Sequence, residues 1–114
     1  MNSHIGIVQE GVRRGKTLGF PTANITLDDT SVSGIYVASV AWNGREHPAA
    51  VFADQKRGIL EAHMLDFSGN LYGKEIAVEL LEKIRDNKMF ENDDYLRTAI
   101  AGDVEKVREF FKNV

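Results

Sequence analysis
The chain has 114 residues, 43% of them hydrophobic and 27% charged, with a net charge of −3 and no cysteine. That length supports one domain, expected over residues 1–114, around one core; the lack of cysteine excludes a disulfide framework, a thiol nucleophile and a thiolate zinc site. The acidic balance argues against nucleic acid or an anionic membrane as partner, and no apolar run reaches the length of a membrane span or secretory leader, so a cytoplasmic monomer is the expectation.

Ile5 and Ile7 predict a short opening strand that ends at Gly11. After it comes Gly15-Lys16-Thr17-Leu18-Gly19-Phe20-Pro21-Thr22-Ala23-Asn24-Ile25. Glycine frees backbone N–H groups to approach phosphate oxygens, and a lysine neutralises their charge. The hydroxyl and amide oxygens of Thr22 and Asn24 are hard ligands of the kind magnesium takes beside substrate phosphates. Two apart in an extended segment, these side chains share one face. The plainer reading is an irregular turn whose polar groups satisfy nearby backbone. A P-loop is excluded, because Gly11 and Gly15 enclose three residues where that motif has four. Pro21 also disfavours helix at Phe20, so a phosphate bound here would sit in a loop between strands.

Gly34 opens a β-branched and aromatic run, Ile35–Trp42, and Asn43-Gly44 predicts a hairpin whose return strand covers Ala49–Phe52. A further strand is expected over Ile59–Phe67, closed by Ser68-Gly69-Asn70, and a last long one over Glu75–Arg85. Short strands with frequent turns favour a closed or nearly closed antiparallel barrel. Glu61 and His63 share one face of their strand. A carboxylate there can take the proton of a hydroxyl nucleophile during phosphoryl transfer, or both side chains point at solvent. Arg85 ends the last strand, where it reaches a ligand, is solvated or pairs with Asp86. Asn92 or Asp93 caps a helix through Ile100, Gly102 stops it, and Asp103 caps a second helix carrying Val104, Val107, Phe110 and Phe111. The last two are expected to plug the barrel.

These pieces, in this order, resemble the ATP-dependent riboflavin kinase (flavokinase) family across nearly the whole chain. Gly11–Ile25 resembles its glycine-rich loop and Pro-Thr-Ala-Asn segment, Gly34–Val40 its next strand, and Glu61-Ala62-His63-Met64-Leu65-Asp66-Phe67 its glutamate-bearing strand. Leu71–Val78, Ile84–Phe90 and Ile100–Asp103 follow in family order. The resemblance implies a mainly β, six-stranded antiparallel Greek-key barrel with C-terminal helices. It implies transfer of the γ-phosphoryl group of ATP to the ribityl 5′-hydroxyl of riboflavin, giving FMN and ADP, with Mg2+ (or Zn2+ or Mn2+). Glu61 takes the catalytic role. Gly15, Lys16 and Gly19 fall in the nucleotide loop, Thr22 and Asn24 on phosphate and metal, and Phe20, Arg85 and Phe90 on the flavin. Two departures stand out. Ala49–Gly58 lacks the Asn-Ile-Gly and Pro-Thr-Phe pieces usual there and is short, and Asn87 replaces an acidic residue. A non-catalytic flavin- or nucleotide-binding barrel, or a kinase for a modified flavin, is the alternative. The adenylyltransferase domain often fused to such kinases has no counterpart in the sequence, so FAD synthesis is not expected.

Overall fold
The computed structural model describes residues 3–10 and 19–113. Among the described residues six strands, β1 (Ser3–Ile7), β2 (Ala23–Thr26), β3 (Gly34–Trp42), β4 (Arg45–Asp54), β5 (Ile59–Met64) and β6 (Glu75–Arg85), precede one helix, α1 (Asp93–Lys112). They form an antiparallel sheet in the order β1-β6-β3-β4-β5-β2. β6 lies beside β3, next to the consecutive β3-β4-β5, which is Greek-key connectivity. The sheet curls until its two edges meet. The Gln9 N–H donates to the Asn24 carbonyl at 2.9 Å, making the barrel nearly closed. Register shifts between β3 and β6 at Ile35/Tyr36 and Val37/Ala38 supply local twist for that curl.

Alternation along the strands sorts side chains into two cores. Ile25, Val40, Val51, Leu60, Ile76 and Val78 fill the barrel and are fully buried. The opposite face of β3 and β4 presents Val37 and Ala50, and α1 covers them with Val104 and Val107. Phe110 and Phe111 pack in this outer layer, against the expectation that they plug the barrel. Their spacing identifies an apolar helix face, but periodicity does not say which side of a sheet receives it.

The helical region is one helix rather than two. The Asn92 side chain accepts the Tyr95 N–H at 2.9 Å as the N-cap, Asp93 and Asp94 follow in the first turn, and Lys112 lies in the last. Gly102 does not stop the helix; a Cβ there would meet nothing within 4 Å, so the glycine sits on an open face. Asp103 caps nothing. It is a buried mid-helix residue whose carboxylate is held by Arg85.

Strand ends follow from backbone chemistry. Asn43 and Gly44 both take positive φ, 51° and 75°, which matches the twist of a two-residue hairpin and pairs Trp42 directly with Arg45. The return strand therefore begins earlier than the apolar run that predicted it. β5 stops at Met64, short of Phe67, and Asp66 takes a left-handed φ of 55°. Gly34 is buried with φ +99°, and a Cβ on it would lie 2.6 Å from the Arg85 carbonyl oxygen. Only glycine lets β3 start that close to the end of β6. No helix among the described residues is long and apolar enough to cross a membrane.

Candidate functional site
β2 pairs with β5 so that Asn24 stands opposite Glu61 and Ala23 opposite Ala62. Leu60, Ala62 and Met64 enter the barrel. Glu61 and His63 therefore face the other way, on the side that Asn24 occupies on β2. That side is not open solvent. Phe20, His63, Arg85, Met89, Phe90 and the α1 residues Leu96 and Ile100 help wall a mostly apolar cavity of about 480 Å³, and Glu61 belongs to its lining. Glu61 and His63 therefore face this cavity rather than open solvent, with α1 and the segment after β6 forming other parts of its wall.

The Glu61 side chain is 15% exposed, and its Oε1 accepts a hydrogen bond from Arg57 Nη2 at 3.0 Å. Burial pushes its carboxyl above the ordinary glutamate value, and the Arg57 charge offsets part of that rise. His63 is otherwise engaged. Its Nδ1 lies 2.8 Å from the Pro21 carbonyl oxygen, an acceptor, so Nδ1 carries the proton. Its ring meets Phe20 edge-on at 5.4 Å. These contacts fix the segment entering β2. No group of three or more metal-ligating His, Cys, Asp or Glu residues occurs among the described residues, so Glu61 and His63 gain no third partner.

Thr22 Oγ1 donates to Asn24 Oδ1 at 3.3 Å, and Asn24 is buried, which brings both oxygens together as the two-residue spacing predicts. Thr22 borders a second, more polar cavity of about 580 Å³ as well, together with Asn24, Gln9 and Asn70. The side chain therefore stands at the seam between two cavities. Gly19, at φ 93°, immediately precedes Phe20. Gly15 and Lys16 lie outside the described residues.

Arg85 and Phe90 come to the same cavity, as the sequence suggests, but the arginine is committed elsewhere. Its Nε and Nη2 donate to Asp103 Oδ1 and Oδ2 at 3.0 and 2.8 Å. Nη1 reaches the Asp86 carbonyl at 3.2 Å, and its guanidinium carbon sits 5.7 Å from the Phe90 ring centroid. The Asp86 carboxylate pairs instead with Lys83 at 2.7 Å. Sequence reading missed Arg57 and the role of Asp103. The signal for Arg57 was present: an arginine in a short turn, four residues before the glutamate. Nothing local marks Asp103, whose partner lies 18 residues away.

The Flavokinase profile, described as riboflavin kinase, matches residues 2–111. The bifunctional riboflavin kinase/FMN adenylyltransferase of Escherichia coli K12 is 39% identical over 93% of this chain and 37% of its own length. The chain spans about two-fifths of the length of several such curated relatives. Among solved structures, a Streptococcus pneumoniae chain described as a macrolide-efflux protein superposes with TM-score 0.81 at 30% identity, over 93% of this chain and 38% of that one. Riboflavin kinase from Trypanosoma brucei superposes with TM-score 0.71 at 23% identity, over 96% and 79%, and so shares the fold. With the matching barrel, the glutamate-bearing strand in place and a family match over nearly its full length, the chain belongs to the riboflavin kinase (flavokinase) family.

Proposed function
We propose that this chain, as one domain over 1–114, is an ATP-dependent riboflavin kinase, converting riboflavin and ATP to FMN and ADP as a cytoplasmic monomer. The observation that carries the reading is Glu61, a largely enclosed carboxylate in the wall of an apolar cavity, one strand away from Asn24 and near the seam marked by Thr22. In the reaction, the ribityl 5′-hydroxyl oxygen forms a bond to the γ-phosphorus, and the bond from that phosphorus to the bridging oxygen of ADP breaks. Glu61 accepts the hydroxyl proton. Phosphoryl transfer asks little covalent chemistry of a protein beyond holding its two reactants in line and neutralising charge.

The flavin ring suits the apolar cavity with Phe20 and Phe90; the nucleotide suits the polar cavity, beside the loop of Gly15, Lys16 and Gly19. The family works with a divalent metal, and Mg2+ is the ion we propose, with Zn2+ and Mn2+ as substitutes. Thr22 Oγ1 and Asn24 Oδ1, two hard oxygens brought side by side, are the atoms that would hold it. Held there beside substrate phosphates, the ion supplies neutralisation of the negative charge that gathers on them.

The test is direct. Riboflavin, ATP and magnesium are incubated with the protein and the flavins separated by chromatography. FMN that requires both nucleotide and metal, and that falls by about a hundredfold or more in Glu61→Gln, is the expected result. Riboflavin bound but never phosphorylated would replace this reading with that of a binding module.

A further inference from the structure
The turn between β4 and β5 consists of residues 55–58. Its conformation is held from two sides. Asp54 accepts the backbone N–H of Arg57 at 3.2 Å, and the Gln55 side-chain amide donates to the carbonyls of Asp29 and Val32. Asp54 also takes the Arg57 side chain, Nε to Oδ2 at 2.6 Å. With Nε so fixed, the planar guanidinium has one direction left for its Nη2, and that atom reaches Glu61 Oε1 at 3.0 Å. The Asp54 side chain is 12% exposed and that of Glu61 15%, while Arg57 between them is 39% exposed, so the two carboxylates are largely enclosed and the arginine reaches them from the surface.

From this geometry we infer that Arg57, braced by Asp54, is a positioning residue for Glu61: it holds one carboxylate oxygen and so presents the other to the substrate hydroxyl. A glutamate side chain in an apolar cavity otherwise has several rotamers open to it, and a proton acceptor must lie within hydrogen-bond reach of its donor. Arg57 also lines the cavity, but its side-chain hydrogen bonds go to Asp54 and Glu61, so its role is exerted through Glu61. The inference rests on the proposed role of Glu61 in riboflavin phosphorylation.

A double-mutant cycle tests it. Arg57→Met is expected to lower kcat about tenfold to a hundredfold, with the KM for riboflavin close to the parent value and part of the loss restored by Arg57→Lys. Introduced into Glu61→Gln, the same substitution is expected to cost almost nothing further, because the group it positions is already gone. A readout free of turnover accompanies the cycle: the Arg57 guanidinium N–H resonances, slowed in exchange by Asp54 and Glu61, are expected to lose that protection in part in Glu61→Gln. Equal losses from Arg57→Met in both backgrounds, with FMN formed by the parent, would overturn the positioning role and leave the kinase reading intact. Unaltered Arg57 resonances in Glu61→Gln would also overturn it. No FMN from the parent, with the resonances responding as expected, would retain the contact and overturn both the kinase reading and the role in turnover built on it.

Discussion
Two arginine–carboxylate forks tie α1 to the barrel. In the middle of the helix Arg85 of β6 grips Asp103, with side chains 25% and 6% exposed. Nearer its C-terminal end, Arg108 of the helix reaches Asp66 after β5 through two bonds of 2.9 Å, with side chains 45% and 74% exposed. The bonding is equally good, but the surroundings are opposite. Water competes for every charge in the second pair and for little of the first. The lesson is that the first contact sets where α1 sits while the second decorates it. The first also stands in the wall of the apolar cavity, so helix position and cavity shape are set by the same two side chains.

Breaking the buried fork should have the largest effect. Asp103→Ala leaves the Arg85 guanidinium half-enclosed without its partner and should cost about 3 kcal/mol of stability, measured by urea denaturation, with weaker riboflavin binding in the same variant. Replacing both partners, Arg85→Met with Asp103→Leu, should cost less stability than Asp103→Ala alone, since no charge is then stranded. If the single and double variants unfold alike, burial is not what distinguishes the two forks.

Glu61 sharpens the comparison as a third carboxylate facing an arginine, one for which burial outweighs the partner. Its folded-state affinity for a proton is raised, so its charge is a burden on the fold above the unfolded pKa, relieved as pH falls through the folded value. Glu61→Gln should therefore melt above the parent at neutral pH, with the gain shrinking toward acid. In the parent, the acid limb of kcat/KM, which reports the free enzyme, should lie above the ordinary glutamate range, because protonation removes the acceptor. A limb at or below that range would contradict the buried environment.

The smallest effect belongs to the exposed fork. Arg108 holds the Asp66 carboxyl below its usual range, chiefly by hydrogen bonding, so its contribution is present above the unfolded pKa and fades as pH falls through the folded one. Asp66 and Glu61 thus pull stability in opposite directions with acid. Arg108→Ala should melt with the parent at physiological salt; a clear loss would show that the outer fork carries weight after all.

Much of this fold is legible in the sequence where the deciding interactions are local. β6 has the bounds its alternation predicts, Gly34 opens β3, and Asn43-Gly44 makes the hairpin. Thr22 and Asn24 meet because two-residue spacing on an extended chain brings them together. The failures share a different cause. Gly102-Asp103 has the local chemistry of a helix break, and a distant arginine overrides it. Arg45, Glu46 and His47 do not read as strand, yet hairpin pairing recruits them. Glu61 looks like a half-exposed strand residue until residues of a helix more than thirty positions later complete the cavity it lines. Long-range contacts decided each of these, and a single sequence does not display them.

The close approach at Gly34 bears on how mutational maps of this barrel would look. The residue lines neither cavity, yet any side chain on it must push the end of β6, and with it Arg85, out of place. In a selection for flavin output, changes at Gly34 would score with those at the cavity wall. A boundary drawn from such phenotypes would enclose a glycine that never meets a ligand, and would trace the path of strain rather than of contact.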